Sequence, residues 1–267
     1  MPPGIQPYEL PRVFRTVTQT LLVALAHPDD ELGVAGTILA QRARGDRVVV
    51  LWLTRGEMTE AFGPLPPSQV ARKRVELGHR AGELLEVETR FLELPDTHLT
   101  VTHEAVDAVA REIADVRPDG VVTWGDAWTR GMRHPDHQSC GKIVRDAVTV
   151  ARIAKRVTPL SPHRKPVPVF TFRDEHSRLP EITVDVTPYR DGIHELADLY
   201  REALGFGDPE WLDLRLKRAG EAHGFTYGES LDAWETGGGA VDTLLPPLPA
   251  EGALPMHPDR PQEREAL

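Results

Sequence analysis

The stretch Leu21–Gly36, LLVALAHPDDELGVAG, decides the fold of this chain. Its first six residues are apolar, and an unbroken apolar run that ends at a proline is typical of a strand buried on both faces. Pro28 cannot continue a strand ladder, and Asp29 or Asp30 can cap a following helix. The pattern predicts a central parallel strand with a polar cluster, residues 27–31, at its carboxyl end, where open α/β sheets bind ligands.

The polar cluster contains residue types that bind metal ions. His27 and Asp30 are ordinary metal ligands, and Asp29 lies between them as a further carboxylate. Acidic residues before a helix are also good caps, and for the carboxylates alone the two interpretations are about equally good. A histidine at the end of a buried strand gains nothing from capping, so His27 favours a metal site.

Apolar strands and helical patterns alternate over the next part of the chain. Strands are predicted at 47–54, 89–94 and 120–124, and helices at about 34–43, 68–87, 103–117 and 138–156. This alternation with short connections indicates right-handed βαβ units. We expect an α/β fold, namely a doubly wound, mostly parallel sheet flanked by helices (Rossmann-like), as a single domain with an irregular C-terminal part. No G-x-G-x-x-G follows the first strand, which argues against a dinucleotide site.

The C-terminal part predicts further elements and a tail. Strands are expected at 167–172 and 181–186, and helices at about 190–204 and 209–222. Three consecutive glycines and many prolines follow Thr236, which is typical of a surface tail or a partner-contacting arm. We therefore divide the chain into an N-terminal arm (1–19), one domain (20–235) and a tail (236–267).

Composition excludes several classes of protein. The net charge of −10 and the pI of about 5.6 argue against a nucleic-acid or anionic-membrane partner. Cys140 is the single cysteine, which excludes an internal disulfide framework and fits a reducing compartment. The sequence has no apolar run of the roughly 20 residues that a membrane helix needs, and no signal-peptide pattern at its start. We expect a cytoplasmic protein.

The second part of the site is expected after the fourth predicted strand, in the run His134-Pro135-Asp136-His137. Neighbouring parallel strands bring their carboxyl-end loops together, so His134 or His137 can meet His27 and Asp30. Two histidines and one carboxylate with open positions form a catalytic zinc set. Asp29 is then the natural general base, and the remaining histidine can stabilise an oxyanion.

Three motifs in this order resemble the LmbE/PIG-L family of zinc-dependent N-deacetylases. Residues 26–31 resemble A-H-P-D-D-E, residues 54–58 (TRGEM) resemble the motif after the second strand, and residues 134–137 match H-P-D-H. The resemblance covers about residues 20–235 and implies an LmbE-like fold with Zn²⁺. Carried over by position, it implies His27, Asp30 and His137 as zinc ligands, Asp29 as general base and His134 as oxyanion stabiliser.

The resemblance also implies a reaction and its partners. Family members remove the N-acetyl group from an N-acetylglucosamine-type glycoconjugate, for example a thiol-cofactor precursor such as that of bacillithiol, and are often trimers or hexamers. We therefore expect a small amino-sugar substrate and a homo-oligomer. The sequence departs from the pattern after Met58, where residues 59–63 read TEAFG, and at residues 200–203, where YREA replaces Tyr-x-Ser-Gln. These departures affect the identity of the aglycone.

Further residues follow predicted strands. Arg55, Glu57 and Asp96 lie at strand carboxyl ends, so we expect them to contact substrate. His176 is a candidate for the sugar pocket, although a loop histidine can equally be inert. Cys140 lies on the helix face of His137, but a fourth ligand would close the site, so we expect a small buried residue there.

Several expectations concern roles within the site. If His134 stabilises an oxyanion, we expect it to be protonated. Glu31 is the next candidate for the general base if Asp29 does not have that role. Arg72 or Arg74 could reach the pocket with Glu76, but we interpret these residues as a solvated helix face.

Two other functions remain as alternatives. A non-haem Fe(II) enzyme could use the His/Asp/His set, but such enzymes are mostly β-sandwiches. A non-catalytic sugar-binding module would not need Asp29 beside an intact ligand set.

Overall fold

The computed structural model describes residues 16–125, 134–173 and 176–249. Gln19–Leu245 form one compact unit, and a second unit contains the short antiparallel pair of β1 (Thr16–Val17) and β10 (Leu248–Pro249). Within the described ranges, no helix is both long enough and apolar enough to cross a membrane.

The larger unit is built on one mixed sheet. Its strand order is β4-β3-β2-β5-β6-β8-β7-β9. The five strands from β4 to β6 are parallel, β8 is antiparallel to both of its neighbours, and β9 is parallel to β7. The strands are β2 (Thr20–Leu25), β3 (Arg47–Trp52), β4 (Glu88–Phe91), β5 (Gly120–Thr123), β6 (Val169–Phe172), β7 (Glu181–Asp185), β8 (Gly228–Ala233) and β9 (Gly239–Val241).

Helices connect these strands. A 3-10 turn over Asp30–Val34 leads directly into α1, and a second 3-10 turn covers Thr187–Tyr189. The α-helices are α1 (Ala35–Ala43), α2 (Pro67–Leu85), α3 (His103–Val116), α4 (Pro135–Val150), α5 (Ala154–Val157), α6 (Arg190–Leu204) and α7 (Pro209–Glu221). The expected α/β class with a doubly wound sheet is confirmed.

Strand β2 is central, as its apolar run predicts. Leu22 pairs with Val49 of β3 on one side and with Val121 of β5 on the other, and Leu21 through Ala26 have no exposed surface. A strand buried on both faces and both edges tolerates only apolar side chains. The strand order reverses between β2 and β5, so the polar segments after these two strands face the same crevice.

Three helix boundaries differ from their predictions. The helix predicted over 138–156 consists of α4 and the short α5, and α4 begins at Pro135 because proline is well tolerated at the first helical position. For the same reason, α2 begins at Pro67, one residue before its predicted start at Ser68. Residues 30–34 form a 3-10 turn, so α1 begins at Ala35.

The sheet extends further along the chain than the predicted domain of residues 20–235. Residues 239–245, which the sequence assigns to the tail, contain strand β9 and place Leu244 and Leu245 in the core at 2% exposure. Strand β8 was not predicted, because its sequence GESLDA lacks an apolar run. Its buried Glu229 accepts hydrogen bonds from the backbone amides of Gly36 and Thr37 at the start of α1, which explains a carboxylate inside the sheet layer.

Helix α4 packs closely on the end of β5 through a glycine. A Cβ added at Gly141 would lie 2.1 Å from the backbone oxygen of Trp124. We expect Gly141→Ala to lower the free energy of unfolding by about 1–3 kcal/mol, since overpacking forces the helix off the strand. Urea unfolding measures this change. Gly237→Ala is the matched control, because a Cβ there would have no atom of another described residue, its chain neighbours aside, within 4 Å. Equal stabilities of the two variants would contradict the packing argument.

Candidate active site

Asp30 is the most heavily bonded carboxylate after β2. Its Oδ2 accepts from the backbone amides of Ala26 and His27, both at 3.0 Å, and from Nε1 of Trp124 at 3.0 Å. Its Oδ1 lies 3.2 Å from Nε2 of His137. Burial by itself raises the pKa of Asp30, but the charges and hydrogen bonds of His137 and His27 hold that pKa well below its usual value. Asp30 is therefore an anion with one oxygen directed at a histidine.

His27 is held between carboxylates. Its Nε2 lies 3.2 Å from Oδ1 of Asp96 and 3.3 Å from Oδ2 of Asp136, and its Nδ1 lies 3.8 Å from Oδ2 of Asp30. Burial lowers the pKa of His27, but hydrogen bonds to these three carboxylates outweigh burial and raise the pKa to about 12. Histidines that bind metals usually donate their second ring N–H to a carboxylate, so Nε2 fits that role and Nδ1 is left to face Asp30.

The H-P-D-H run supplies two more imidazoles. The rings of His134 and His137 have centroids 4.6 Å and 5.3 Å from that of His27. His137 stacks on Trp124 with a centroid distance of 3.7 Å and an interplanar angle of 7°, which fixes its ring plane. The structure therefore brings together the histidines that the sequence places on separate loops.

The surroundings of His134 lower its pKa, whereas the sequence analysis expects a protonated ring. Its Nδ1 accepts a hydrogen bond of 3.3 Å from the backbone N–H of Asp136, which caps α4. Burial lowers the pKa of His134, and the charges of His27 and His137 lower it further. The neutral ring then carries its proton on Nε2. Partial burial and the two neighbouring imidazoles therefore act against the protonated His134 that the sequence predicts.

The donor atoms fall into two groups that could hold a metal ion. One consists of His27, His134 and His137, whose ring nitrogens lie within 4.8 Å of one another, and the other consists of His27, Asp96 and Asp136. Asp30 adjoins the first group through its contact with His137. Nitrogen donors with one carboxylate match the preferences of zinc and of other first-row divalent ions.

Asp29 belongs to neither donor group and pairs with an arginine. Its Oδ2 accepts a hydrogen bond of 2.5 Å from Nη2 of Arg74, a residue of α2 that is 2% exposed. Burial raises the pKa of Asp29 to about 6, although Arg74 opposes that shift. A Cβ at Gly56, where φ is +64°, would lie 2.6 Å from Nε of Arg74, so the glycine of the TRGEM motif gives the guanidinium its space.

Two expectations are corrected by these contacts. Arg74 does not lie on a solvated helix face, since it is buried against Asp29. Glu31 is fully buried, and its two carboxylate oxygens accept from Nε1 of Trp52 at 3.1 Å and from the hydroxyl of Tyr200. A carboxylate with no exposed surface and with both oxygens engaged in the core cannot serve as an alternative base for a bound substrate.

The predicted substrate residues have different surroundings. Asp96 is buried, with Oδ2 accepting from the backbone amide of Met58 and Oδ1 facing His27. One oxygen of Glu57 accepts from the backbone amide of Asp96 at 3.1 Å, and its other oxygen has no hydrogen-bond partner among the described residues. Arg55 pairs with the exposed Glu93 at 3.1 Å, and His176 is exposed and outside both donor groups. Asp96 and Glu57 therefore adjoin the site directly.

Sequence reasoning did not single out Asp136 or Trp124. Asp136 has no exposed surface and accepts from the backbone amides of Thr97 at 2.7 Å and Leu99 at 3.1 Å, besides facing His27. It thus ties α4 to the loop after β4. Its position inside the H-P-D-H motif was the one sign in the sequence that it belongs to the site.

Cys140 is buried and outside the donor groups, as expected, and burial raises the pKa of its thiol well above the usual value.

A cavity of about 1150 Å³ opens beside Asp29 and Asp30. Its lining includes Leu32 and Trp124, residues of the α6–α7 segment and residues of β6–β8. Most of this wall comes from residues 172–230.

Residues 22–148 match the family described as "PIG-L: GlcNAc-PI de-N-acetylase". This match covers the HPDDE segment, the TRGEM motif and the H-P-D-H run, which together contain the donor residues and Asp29. Residues 22–148 are called the PIG-L segment below. The PIG-L segment ends within α4, so the wall of the cavity beyond residue 148 lies outside it.

Two relatives are similar to part of this chain. Diacetylchitobiose deacetylase of Thermococcus kodakarensis is 31% identical over 163 residues, covering 58% of this chain and 60% of the relative. The 1D-myo-inositol 2-acetamido-2-deoxy-alpha-D-glucopyranoside deacetylase of Nocardia farcinica is 32% identical over 162 residues, covering 51% and 54%. The chain thus spans between half and two thirds of the length of these relatives.

A solved structure extends the likeness to most of the fold. The N,N'-diacetylchitobiose deacetylase of Pyrococcus horikoshii aligns with a TM-score of 0.72 at 23% identity, over 81% of this chain and 84% of that one. At this identity the likeness concerns the fold alone. The chain therefore shares the fold of this solved structure, and the activity has to be argued from the site.

Proposed function

We propose that this protein is a metal-dependent hydrolase that removes the N-acetyl group from an N-acetylglucosamine-type glycoconjugate. The observation that carries the proposal is the separation of roles after β2. Asp30 faces His137 and the other imidazoles, whereas Asp29 is held by Arg74 at the wall of the cavity. A hydrolase that activates water with a metal ion and a general base needs both a metal site and a basic group that is not a ligand.

Zinc is the metal that we propose, with His27, Asp30 and His137 as its ligands. The donor chemistry supports this assignment, because two imidazoles and one carboxylate form a common catalytic zinc set. Trp124 stabilises both Asp30 and His137, and Asp136 faces the other side of His27, so each proposed ligand has an orienting partner. When bound, zinc supplies a Lewis acid.

Asp29, Arg74 and His134 have different roles in the proposed amide hydrolysis. Asp29 accepts a proton from the water molecule that attacks the acetyl carbon, and Arg74 keeps its carboxylate in place. The Nε2–H of neutral His134 donates to the acetyl oxygen as negative charge develops there. The C–N bond then breaks, the departing nitrogen receives the proton from Asp29, and the products are acetate and a free amine.

Acetate release from a panel of N-acetylglucosaminides tests the function. The full chain is incubated with diacetylchitobiose, an inositol N-acetylglucosaminide and an N-acetylglucosaminyl malate. Mass spectrometry then measures whether acetate and the free amine are released in equal amounts. Release of both products from at least one compound supports the proposal. Tight binding of a glycoside without release would favour the sugar-binding module, and iron as the bound metal would favour the non-haem alternative. The homo-oligomer and the cytoplasmic location stay predictions.

Replacing His134 by Ala is expected to lower kcat and kcat/KM together by about 10²–10³-fold, with metal content unchanged. The reason is that a donor to the developing oxyanion acts in the transition state alone. Steady-state kinetics with elemental analysis measures both quantities, and His103→Ala, at an exposed helix start, is the control. His134 belongs to the same possible metal-binding group as His27 and His137. Metal loss in His134→Ala with retention in His137→Ala would therefore make His134 the ligand and His137 the donor to the oxyanion.

A further inference from the structure

The cavity beside Asp29 and Asp30 is larger than an acetylated sugar requires. Its volume of about 1150 Å³ exceeds the roughly 300–1,000 Å³ of common small-molecule sites. Asp29 and Asp30 belong to its wall, so the cavity adjoins the proposed base and one proposed metal ligand. A substrate that fills it must extend well beyond the sugar.

The walls of the cavity are largely apolar and aromatic. Trp124 and Phe172 both belong to the lining and stack on each other with a centroid distance of 4.3 Å. Phe206 and Trp211 form part of the wall and are 42% and 62% exposed. Large apolar side chains exposed together at the wall of one cavity are typical of a ligand site.

The carboxylates that line the cavity are already engaged. Asp29 pairs with Arg74, Asp30 with His137, and Glu181 with Arg173. Asp208 accepts from two amides as the cap of α7, and Glu229 accepts from the amides of Gly36 and Thr37. These anions therefore have partners other than a ligand.

Two arginines of α7 form no ion pair with a carboxylate among the described residues, although the charge of Glu229 acts on Arg215 and the Arg215 guanidinium lies 5.8 Å from the ring centroid of Trp211. Arg215 donates to the backbone oxygens of Gly33 at 3.1 Å and Leu32 at 3.5 Å, and its buried Nε has no hydrogen-bond partner among the described residues. Arg218, one turn further along, is exposed and forms no ion pair within the described ranges. Trp211, Arg215 and Arg218 follow the i, i+4, i+7 spacing of one helix face, so aromatic and cationic groups face the same space.

We propose that this cavity is the aglycone subsite and that it takes an N-acetylglucosaminide whose aglycone is aromatic and carries an acidic group. The aromatic side chains pack against the ring, and the guanidinium groups of Arg215 and Arg218 donate hydrogen bonds to the carboxylate or phosphate. The inference rests on the proposed deacetylase function, because it names the substrate class of the same site.

The test compares four N-acetylglucosaminides, each in both anomers. Their aglycones are methyl, phenyl, 4-carboxyphenyl and 4-(aminomethyl)phenyl. For the wild type, we expect kcat/KM to rise from methyl to phenyl to 4-carboxyphenyl. The 4-carboxyphenyl compound should exceed the 4-(aminomethyl)phenyl compound by about tenfold to hundredfold, the size of a charge-assisted hydrogen bond. Equal values for all four compounds would overturn the proposal.

Variants of α7 assign these preferences to residues. Trp211→Ala should lower the phenyl-to-methyl ratio of kcat/KM by about 2–10-fold, and Arg218→Gln should lower the carboxyphenyl-to-phenyl ratio by about tenfold. Leu214→Ala and Lys217→Gln, on the same helix but outside the cavity wall, are the matched controls and should leave both ratios unchanged. Ratios are used because a general loss of folded protein lowers all rates equally. Ratios unchanged in Trp211→Ala and Arg218→Gln would refute the subsite.

A binding measurement separates this inference from the proposed function. If the wild type releases acetate from none of the four compounds, the deacetylase proposal fails. Calorimetry with the 4-carboxyphenyl and methyl compounds then still tests the subsite, with tighter binding of the former lost in Arg218→Gln as the supporting result. Equal affinities of the wild type for the two compounds would refute the subsite by itself.

Discussion

Asp29→Asn is expected to lower kcat by about 10²–10⁴-fold while the protein keeps its metal. The asparagine oxygen can still accept the hydrogen bond from Arg74, so the local structure should persist. What is lost is the capacity to take a proton from water. Asp29 belongs to neither donor group, which is why its replacement should leave metal content at the wild-type level.

Steady-state kinetics and elemental analysis of the same preparation check this prediction. Asp191→Asn, at a fully exposed surface position, is the matched control and should behave as the wild type. A variant within a few-fold of wild-type kcat would remove Asp29 from the role of base. Loss of metal in Asp29→Asn would instead make it a ligand.

His27→Ala and His137→Ala are expected to lose the metal and, with it, essentially all activity. Removing a partner that only orients a ligand typically costs about 10–100-fold in metal affinity, and removing a ligand should cost more. His137 also stacks on Trp124, the donor to Asp30, so its loss disturbs a second ligand. Both variants should fall from about one metal ion per chain to background.

Elemental analysis after dialysis measures the occupancy, and His103→Ala is the control histidine. Trp124→Phe is expected to weaken metal binding without abolishing it, because it keeps an aromatic ring for His137 and removes the hydrogen bond to Asp30. Its metal affinity should fall by about 10–100-fold. Full occupancy in both His27→Ala and His137→Ala would mean that the ligand assignment is wrong.

The central part of the fold could be predicted because burial leaves a strong pattern. Leu21–Ala26 can only be apolar in a strand with neighbours on both sides, and Pro28 must end it. The antiparallel strand β8 could not be predicted in this way. Its Glu229 and Asp232 are buried, so it contains charged residues where a core strand is expected to be apolar.

The candidate site was predictable where its chemistry lies within short motifs. His27, Asp30, His134 and His137 are clustered in the chain before folding, and the sheet brings the two clusters together. Arg74 was not predictable, because a helix with many charged residues gives no sign of which one is buried. Its burial depends on Gly56 of another loop, a contact that no local pattern encodes.

The cavity wall and the catalytic groups come from different stretches of the chain. The donors and Asp29 lie between residues 27 and 137, whereas the wall beside them comes mostly from residues 172–230. Such a division makes the protein a suitable scaffold for chimeras. The α6–α7 segment and β8 could be exchanged between homologous chains to change substrate choice, while the proton-transfer groups stay on an untouched N-terminal half.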